Sequence, residues 1–379
     1  MADVVVVGAG VIGASVAWHL GRAGVRALVL EREATPGQGS TGRATGGFRA
    51  QYGSEINVRL SLLAREKLRR FESETGVDPG YAPRGYLWLA RTDQQLDVLR
   101  AAQRVQHAAG LGEACMLDAA GIREVNPHVR LDGLRGAAFC PTDGYIRPLD
   151  ILRGYLTGAE VRTRARVVGL RRRGTRIEAV QLADGTWIAA GAVVDAAGPW
   201  AGPVARLAGV EIPVAPLRRQ VGSTLDTKVL PASMPMTIWV EDGLHVRERD
   251  GRVLLVWPTP GDPLDPESTS LEPGWLEEVS RRAAARIPAL AQIPVDPSRS
   301  WAGLYEMSPD RHALLGAAPG CDNLFLCNGS SGHGVMHAPA LGQLLTEIIL
   351  DGKARSLDIH PLRPSRFSEG HPNPSPDFL

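Results

Sequence analysis

The sequence lacks an excess of either charge. Its 379 residues include 42 lysines and arginines and 41 aspartates and glutamates, for a net charge of +1. Proteins that bind nucleic acid or anionic membranes through their overall charge carry a basic excess. We therefore expect neither partner, and the chemistry has to be sought in local motifs.

Cysteines are also few. The four, Cys115, Cys140, Cys321 and Cys327, show no CxxC spacing and have no nearby pair of histidines. This pattern argues against a zinc site and against a disulfide framework. We expect buried free thiols and no bound metal, since cysteine is among the most buried residue types.

Long apolar runs are missing as well. No stretch reaches the roughly 18 apolar residues that a membrane-spanning helix needs. The first predicted strand already includes Val4, so no signal sequence is expected before it. These two absences predict a cytoplasmic protein without a membrane span.

The sequence does contain a dinucleotide-binding motif close to its first residue. Four valines at 4–7 indicate a strand buried on both faces, and a helical pattern covers 14–20. Between them lie Gly8, Gly10 and Gly13, at the GxGxxG spacing. The first glycine permits a tight turn, the second a close approach of backbone to a pyrophosphate, and the third close packing of helix on strand.

An acidic residue completes the motif. A second apolar run at 27–30 ends at Glu31, where a carboxylate would accept hydrogen bonds from a ribose 2′-hydroxyl and repel a 2′-phosphate. Strand, glycines, helix, second strand and acid follow in the required order. The motif predicts an adenine dinucleotide but does not distinguish NAD from FAD.

The remaining pattern predicts an α/β fold with two domains. The length exceeds the usual limit for one core, and a buried strand at 192–197 returns to the parallel-sheet pattern after an interruption. We therefore expect a discontinuous, Rossmann-like domain with a central parallel sheet. We assign residues 1–85, 145–212 and 301–366 to this dinucleotide-binding domain, 86–144 and 213–300 to a substrate domain with an antiparallel sheet, and 367–379 to a disordered tail.

Two glycine-rich loops and one hairpin complete the expected layout. The segment 36–53 is too glycine-rich for a helix and too long for a simple connector, which is typical of a functional loop. A second such loop, 328–334, leads into a helix predicted from 335 to 350. Residues 244–256 predict a hairpin whose first strand has His245, Arg247 and Arg249 on one face. Helices are further predicted at 56–74 and 94–109, and strands at 85–90 and 177–182 and around 167.

Blocks along nearly the whole chain carry a family resemblance. They are GAGVIG at 8–13, STGRATGGFRAQYG at 40–53, DAAGPWA at 195–201, and the pair WAGLYEMSPDRHALLG at 301–316 and NGSSGHGVMHAPALGQLL at 328–345. Together they resemble the flavin-dependent family that includes glycine oxidase, sarcosine oxidase and D-amino-acid oxidase. The β subunits of sarcosine oxidase and of dye-linked proline dehydrogenase are especially similar.

The resemblance implies FAD as the cofactor, so the first domain would be an FAD-binding domain. A helix beginning near Gly334 would direct its positive end at the flavin and stabilise its anionic reduced form. The residues that the resemblance assigns to FAD are Gly8, Gly10, Val11, Ile12, Gly13, Glu31, Arg32, Ser40, Thr41, Arg43, Ala44, Gly46, Gly47, Val167, Ala197, Gly198, Gly303, Gly332, His333, Gly334 and Val335.

The resemblance also implies oxidation of a carbon–nitrogen bond in an amino acid, with hydride transfer to flavin N5 and later hydrolysis of the imine. Arg49 is the first candidate for binding the substrate carboxylate, because a guanidinium can donate two parallel hydrogen bonds to it. Tyr305 lies where related enzymes place a substrate-facing side chain. His245 and Arg247, on the hairpin, are further candidates.

The chain departs from the monomeric sarcosine oxidases at several positions. No cysteine lies in the block 301–305 where those enzymes attach flavin, so FAD is expected to bind non-covalently. Met336 and Leu254 stand where they carry a substrate-binding and an oxygen-activating lysine. The electron acceptor is therefore expected to be oxygen or another carrier. A helix at 149–157 is shorter than in relatives, with reduced FAD affinity as a possible result.

The leading hypothesis is an FAD-dependent oxidoreductase for a small secondary amine such as sarcosine or proline. One alternative keeps the fold and changes the substrate to glycine, a D-amino acid or a 2-hydroxy acid. Another is a flavin-binding assembly protein without turnover, since such folds can lose substrate residues. The similarity to β subunits implies partner subunits or a homo-oligomer.

Overall fold

The computed structural model describes residues 2–258 and 268–374, which form two eight-stranded sheets, a two-stranded sheet and nine α-helices. The strands are β1 (Ala2–Val7), β2 (Ala27–Leu30), β3 (Gly47–Phe48), β4 (Tyr86–Ala90), β5 (Cys115–Leu117), β6 (Gly136–Cys140), β7 (Gly144–Tyr145), β8 (Glu160–Arg162), β9 (Val167–Arg173), β10 (Arg176–Leu182), β11 (Trp187–Asp195), β12 (Ala215–Ser223), β13 (Met236–Trp239), β14 (His245–Arg249), β15 (Arg252–Val256), β16 (Trp301–Met307), β17 (Leu314–Ala317) and β18 (Leu324–Asn328). The helices are α1 (Val11–Arg22), α2 (Ser40–Arg43), α3 (Glu55–Thr75), α4 (Asp93–Ala108), α5 (Ala119–Val125), α6 (Pro148–Leu156), α7 (Ala201–Leu207), α8 (Trp275–Arg286) and α9 (Gly334–Asp351).

The first large sheet has the strand order β17-β18-β11-β1-β2-β8, and β10 and β9 extend it from β11 by antiparallel pairing. The five strands from β18 to β8 are parallel, and β17 is an antiparallel edge. The valines of β1 are at most 6% exposed, as expected for a central strand covered on both faces. Helices α1, α3 and α9 pack together on one face. This is the predicted Rossmann-like parallel sheet.

The second large sheet has the order β16-β12-β15-β14-β13-β4-β6-β5. The neighbours pair antiparallel except β13 and β4, which are parallel, so the sheet is mixed. The predicted hairpin is present as β14 and β15, joined at Asp250-Gly251. The fold is thus the predicted α/β architecture with two sheets.

The second sheet does not follow the predicted domain boundary at 301. Strand β16 pairs with β12 along seven residues and therefore belongs to the second sheet. Its burial alternates along the strand, the pattern of a strand with two different faces. The segment carries the WAGLY block, so a part of the chain assigned to the dinucleotide-binding domain lies in the substrate sheet.

The predicted disordered tail also needs correction, since the structure describes it as far as 374. Phe367 packs against the core beneath the parallel sheet. The backbone amide and side-chain amide of Asn373 each donate to Asp310 Oδ2 at 3.0 Å. Asp310 also pairs with Arg366, which is fully buried. Residues 375–379 lie outside the described residues.

Most other predicted elements are confirmed within one or two residues, but the strand predicted at 192–197 is the end of the longer β11, and the helix predicted at 14–20 is the middle of α1. Helix α3 ends at Gly76, which has a left-handed φ of 75°, and α4 begins with a capping box at Thr92. Helix α6 is short, as expected, with nine residues, and its Tyr155 packs edge-on against Trp18 of α1.

Three of the four cysteines are buried, and all four are free thiols. Among the described helices, none has the length and apolarity that crossing a bilayer requires.

Candidate active site

A cavity of about 1020 Å³ is lined by residues of both large sheets. Enclosed sites of this size are typical of small-molecule and cofactor binding. At one end are the GxGxxG loop and Glu31, which follow β1 and β2. At the other are β12, β13, β14 and β16 and the start of α9. The cavity therefore extends from the nucleotide motif to the second sheet.

Two glycines of the motif are required by close contacts with backbone. Gly8 has a φ of 106°, and a Cβ there would lie 2.5 Å from the carbonyl oxygen of Ala196. A Cβ on Gly13 would lie 2.0 Å from the carbonyl oxygen of Gly8. Gly13 is not among the described residues that line the cavity, so its role is the close packing of α1 on β1.

Glu31 and the start of α1 form a fixed polar end. The amide of Ala9 donates to Glu31 Oε2 at 3.0 Å, and that of Glu33 donates to Oε1 at 2.9 Å. The amide of Val11 donates to Thr41 Oγ1 at 3.1 Å. Gly10, the N-cap of α1, has no side chain to cap the helix, so the helix start can face an anion such as a pyrophosphate.

The loop at 40–47 is held against β16. Ser40 Oγ donates to the carbonyl oxygen of Leu304 at 2.7 Å, and Arg43 Nη1 donates to that of Ala302 at 3.2 Å. In return, Trp301 Nε1 donates to the carbonyl oxygen of Arg43 at 2.8 Å. The functional loop predicted from its glycine content is thus fixed by contacts 258 to 264 residues away along the chain.

Most of the residues predicted for the site do come together. The predicted residues that line the cavity are Gly8, Gly10, Val11, Ile12, Glu31, Arg32, Ser40, Thr41, Arg43, Ala44, Gly46, Gly47, Arg49, Val167, Ala197, Gly198, His245, Gly303, Tyr305, Gly332, His333, Gly334 and Val335. Gly13 and Arg247 are the two predicted residues that are not among the described lining residues. The cavity lining therefore gives no support to the predicted contacts of these two residues with cofactor and substrate.

Arg247 is a support for the loop instead of a substrate residue. Its Nη1 donates to the carbonyl oxygens of Thr45 and Gly46, and its guanidinium lies 3.7 Å from the ring centroid of Tyr145. Burial lowers its pKa. The period of two along β14 correctly placed Arg247 on the same face as His245. At Arg247, however, this face contacts backbone carbonyls of the 40–47 loop. Leu254, the counterpart of an oxygen-activating lysine, is 2% exposed and likewise absent from the described lining residues.

Arg49 lies in the cavity beside the start of α9. It is 8% exposed, its guanidinium lies 3.9 Å from the ring centroid of Tyr52, and its Nη1 donates to the carbonyl oxygen of Gln51 at 2.5 Å. Its Nη2 is 3.1 Å from His333 Nε2. It forms no ion pair with a carboxylate among the described residues. Arg49 is thus a buried cation without a direct ion pair among the described residues. The nearby acid is Asp143, whose pKa is raised to about 7 by burial, whereas the charge of Arg49 acts to lower it.

His333 is held neutral beside this cation. Burial, and next the charge of Arg49, lower its pKa well below the usual value. Arginine has only donors, so Nε2 of His333 accepts from Arg49 and the ring proton is on Nδ1. Gly332, with a φ of 89°, leaves room for Tyr305, because a Cβ there would lie 2.6 Å from the Tyr305 ring.

Several cavity residues were not predicted. Arg219, on β12, lies opposite Gly303 of β16 and 5.8 Å from the ring centroid of Tyr305. The alternation of β12, in which Arg219 and Val221 share a face, is the signal that could have identified it. The apolar part of the cavity wall is formed by Tyr86, Trp88, Met236, Ile238 and Val256.

A buried polar atom without a partner marks where a ligand would bind. Glu306 Oε1 accepts from the amide of Ser330 at 3.1 Å, whereas Oε2 has no partner among the described residues. Burial raises the pKa of Glu306 to about 7. Asp195 Oδ2 and Asn328 Oδ1 are also unpaired, but neither residue is among the described residues that line the cavity, so only Glu306 bears on the ligand. Buried polar atoms normally form hydrogen bonds, so hydroxyl groups of a bound cofactor fit this region.

The comparison with known proteins agrees with this geometry. The family model described as FAD dependent oxidoreductase matches residues 3–348. FAD-dependent oxidoreductase domain-containing protein 1 of Xenopus laevis is 27% identical over 98% of this chain and 83% of its own length. Mitochondrial dimethylglycine dehydrogenase of Rattus norvegicus is 29% identical over 97% of this chain, which spans 45% of that protein.

Solved structures share the architecture. L-proline dehydrogenase from P. horikoshii is 26% identical, with a TM-score of 0.91 over 98% of this chain and 99% of that one. Glycine oxidase from Geobacillus kaustophilus is 25% identical, with a TM-score of 0.84 over 96% and 98%. The glycine motif, the acid after β2 and the unpaired oxygen of Glu306 all fit FAD. The chain belongs to the family of FAD-dependent oxidoreductases.

Proposed function

We propose that the protein oxidises the carbon–nitrogen bond of a small amino acid with a secondary amine, such as sarcosine or proline. The observation that carries the proposal is Arg49, a buried guanidinium in the cavity without a carboxylate partner among the described residues. A buried charge is costly unless it is paired, and a substrate carboxylate would pair it. Bound FAD would supply the acceptor for the hydride.

The names of relatives support a secondary or tertiary amine. They include dimethylglycine dehydrogenase, sarcosine dehydrogenase and 4-methylaminobutanoate oxidase among sequences, and L-proline dehydrogenase among structures. Each of these names specifies an N-alkylated or cyclic amino compound. The relatives are between 26% and 29% identical to this chain, so the substrate itself is our proposal.

Cavity residues would orient the amine and keep water out. Burial lowers the pKa of His245 to about 4, so its ring is neutral. His245 Nδ1 is 3.0 Å from the carbonyl oxygen of Gly243 and therefore carries the proton, which leaves Nε2 to accept from a substrate N–H. Trp88 and Ile238 form an apolar wall. Such a wall favours the neutral amine, the form from which hydride can leave.

Two further features of the FAD site belong to the proposal. No cysteine is among the described residues that line the cavity, which supports non-covalent binding of FAD. The positive end of α9 at Gly334 would stabilise negative charge on the reduced cofactor. We assign cofactor binding to the parallel sheet and substrate binding to the mixed sheet, with oxygen or another carrier as the electron acceptor.

The test is anaerobic titration of the FAD-loaded protein with sarcosine, proline, glycine, D-alanine and lactate, following the flavin absorbance. We expect bleaching by sarcosine or proline. Release of methylamine from sarcosine would identify oxidation of its glycine carbon. The variant Arg49→Met should bind FAD yet show a KM raised about a hundredfold, since a charge-assisted contact is lost. Arg59→Met, on the exposed face of α3, is the control.

Two outcomes would contradict the proposal. Bleaching by glycine, D-alanine or lactate alone would favour the alternative substrates, and the absence of bleaching by every compound would favour a flavin-binding assembly role. Release of FAD on acid precipitation of the protein would support non-covalent binding. Size-exclusion chromatography with light scattering would test the proposed partner subunits or homo-oligomer.

A further inference from the structure

The substrate end of the cavity holds a second guanidinium, that of the partly buried Arg219. Its Nη1 donates to the carbonyl oxygen of Arg218 at 3.1 Å, and the group lies over the ring of Tyr305. Burial lowers the pKa of Arg219. It forms no ion pair with any carboxylate that the structure describes. Its neighbour Arg218, by contrast, is paired with Glu272 on the other side of the strand.

The two unpaired cations share one chamber. Burial is the main cause of the raised pKa of Tyr305, and the charges of both Arg219 and Arg49 act against it. The same two charges reinforce the lowering of the His245 pKa that burial causes. Both arginines, Tyr305 and His245 line the cavity. Two like charges are therefore desolvated around the same space.

The two cations are fixed separately. Arg49 is held by Gln51 and the ring of Tyr52, which precede α3, and by His333 at the start of α9. Arg219 is held by the backbone of its own strand and by the ring of Tyr305. They share no ring and no hydrogen-bond acceptor among these contacts. This arrangement fits two anionic groups on one ligand better than a single carboxylate gripped from two sides.

The described acids that line the cavity form no ion pair with either cation. Outside the lining, Asp143 interacts with the charge of Arg49, but its carboxylate accepts from the backbone amides of Ala50 and Gln51. The three described carboxylates that line the cavity are Glu31, Glu33 and Glu306. Glu31 accepts from backbone amides at the nucleotide end, and Glu33 pairs with Arg32. Glu306 follows Tyr305 along β16 and so faces the opposite side of the strand, where Ser330 donates to it.

We propose that the preferred substrate is an amino acid with a second carboxylate, in which Arg49 binds the carboxylate next to the oxidised bond and Arg219 binds the other. The proposal rests on the proposed function and narrows its substrate class. The second carboxylate is carried either on the nitrogen substituent or on the side chain. Amines with a single carboxylate, such as sarcosine, would still react. Their kcat/KM would be lower, because the charge of Arg219 would stay unpaired.

The test compares dicarboxylic amines with neutral partners of similar size. Iminodiacetate and N-methyl-L-aspartate represent the two positions of the second carboxylate, and N-ethylglycine and N-methyl-L-asparagine are their neutral counterparts. Initial rates of anaerobic flavin reduction with the FAD-loaded protein give kcat/KM for each. We expect one dicarboxylic compound to exceed its neutral partner by about tenfold or more, the ratio expected for one charge-assisted contact.

The variants locate the effect. Arg219→Met should reduce that ratio to near one, and Arg219→Lys should restore part of it. Arg218→Gln, on the opposite face of β12, should keep the wild-type ratio. The flavin spectrum of each variant, recorded before substrate is added, verifies that FAD binding is intact.

Each remaining outcome is decisive. Equal kcat/KM for charged and neutral partners, or a ratio that persists in Arg219→Met, would overturn the second carboxylate and leave the proposed function standing. Failure of every amine to reduce the flavin would instead overturn the proposed function itself.

Discussion

Nη2 of Arg49 lies 3.1 Å from Nε2 of His333, and the imidazole is the acceptor. The substrate-binding cation that we propose is thus oriented by a ring at the first turn of α9. The neutral state of this ring is essential, because a protonated His333 would repel Arg49 and lose the acceptor. The lowered pKa of His333, caused first by burial, maintains that state.

Replacement of His333 tests this relationship. In His333→Phe the buried Nη2 of Arg49 loses its partner, and we expect KM to rise about tenfold, since an unpaired charged donor costs about 1–3 kcal/mol. His333→Gln, which keeps an acceptor, should recover most of the loss. Steady-state kinetics separates KM from kcat. An equal fall in kcat for both variants would show that the ring serves only to pack the helix start.

A matched pair of glycines in α1 separates FAD binding from helix stability. We expect Gly13→Ala to purify without FAD and to melt at a lower temperature, because the new Cβ would lie 2.0 Å from the carbonyl oxygen of Gly8. Gly21→Ala has open space around it and should be neutral or stabilising by about 0.5–1 kcal/mol. Flavin absorbance per protein and thermal unfolding are the measurements. Full FAD content in Gly13→Ala would contradict the close-packing role.

Arg247 should matter for the cofactor and little for the substrate. In Arg247→Met the carbonyl oxygens of Thr45 and Gly46 lose a charged donor, which costs about 1.5–3 kcal/mol. We expect the dissociation constant of FAD to rise at least about tenfold, measured by flavin fluorescence, with KM for the amine unchanged at saturating FAD. Arg252→Met, on the adjacent strand, is the control. A raised KM with normal FAD affinity would restore Arg247 as a substrate residue.

The free energy of unfolding should fall in mild acid, because the protein contains buried histidines. Burial lowers the pKa of His337 to about 3, against about 6.5 in an unfolded chain. Between these values the unfolded state binds the extra proton, so stability is lost as the pH falls below about 6.5. At pH 5 the loss from this group is about 2 kcal/mol.

The variant His337→Gln isolates that contribution, since glutamine can still bond to Ser61 Oγ, the partner of His337 Nε2 at 2.8 Å. We expect its free energy of unfolding in urea to fall less than that of the wild type between pH 7.5 and pH 5. The exposed His371→Gln variant should follow the wild type. Parallel pH curves for all three proteins would show that the imidazole at 337 does not titrate on unfolding in this range.

The nucleotide end of the site was predictable because its signal is local. Gly8, Gly10 and Glu31 lie within one βαβ unit, and their spacing determines their arrangement. Arg219 was missed because its position in the cavity depends on the pairing of β12 with β16, about 85 residues later, and register across such a distance cannot be read from the sequence. Arg247 was placed on the correct face, but what that face contacts depends on a loop 200 residues earlier.

The pairing of β16 with β12 and its contacts with the 40–47 loop also constrain how the protein is made. The acceptor for Ser40 is the carbonyl oxygen of Leu304, 264 residues later, and the acceptor for Arg43 is that of Ala302. A nascent chain that has emerged from the ribosome only as far as β15 would contain the glycine motif, but its 40–47 loop would lack the contacts with β16. The contacts that hold the loop therefore cannot form until β16 has been synthesised.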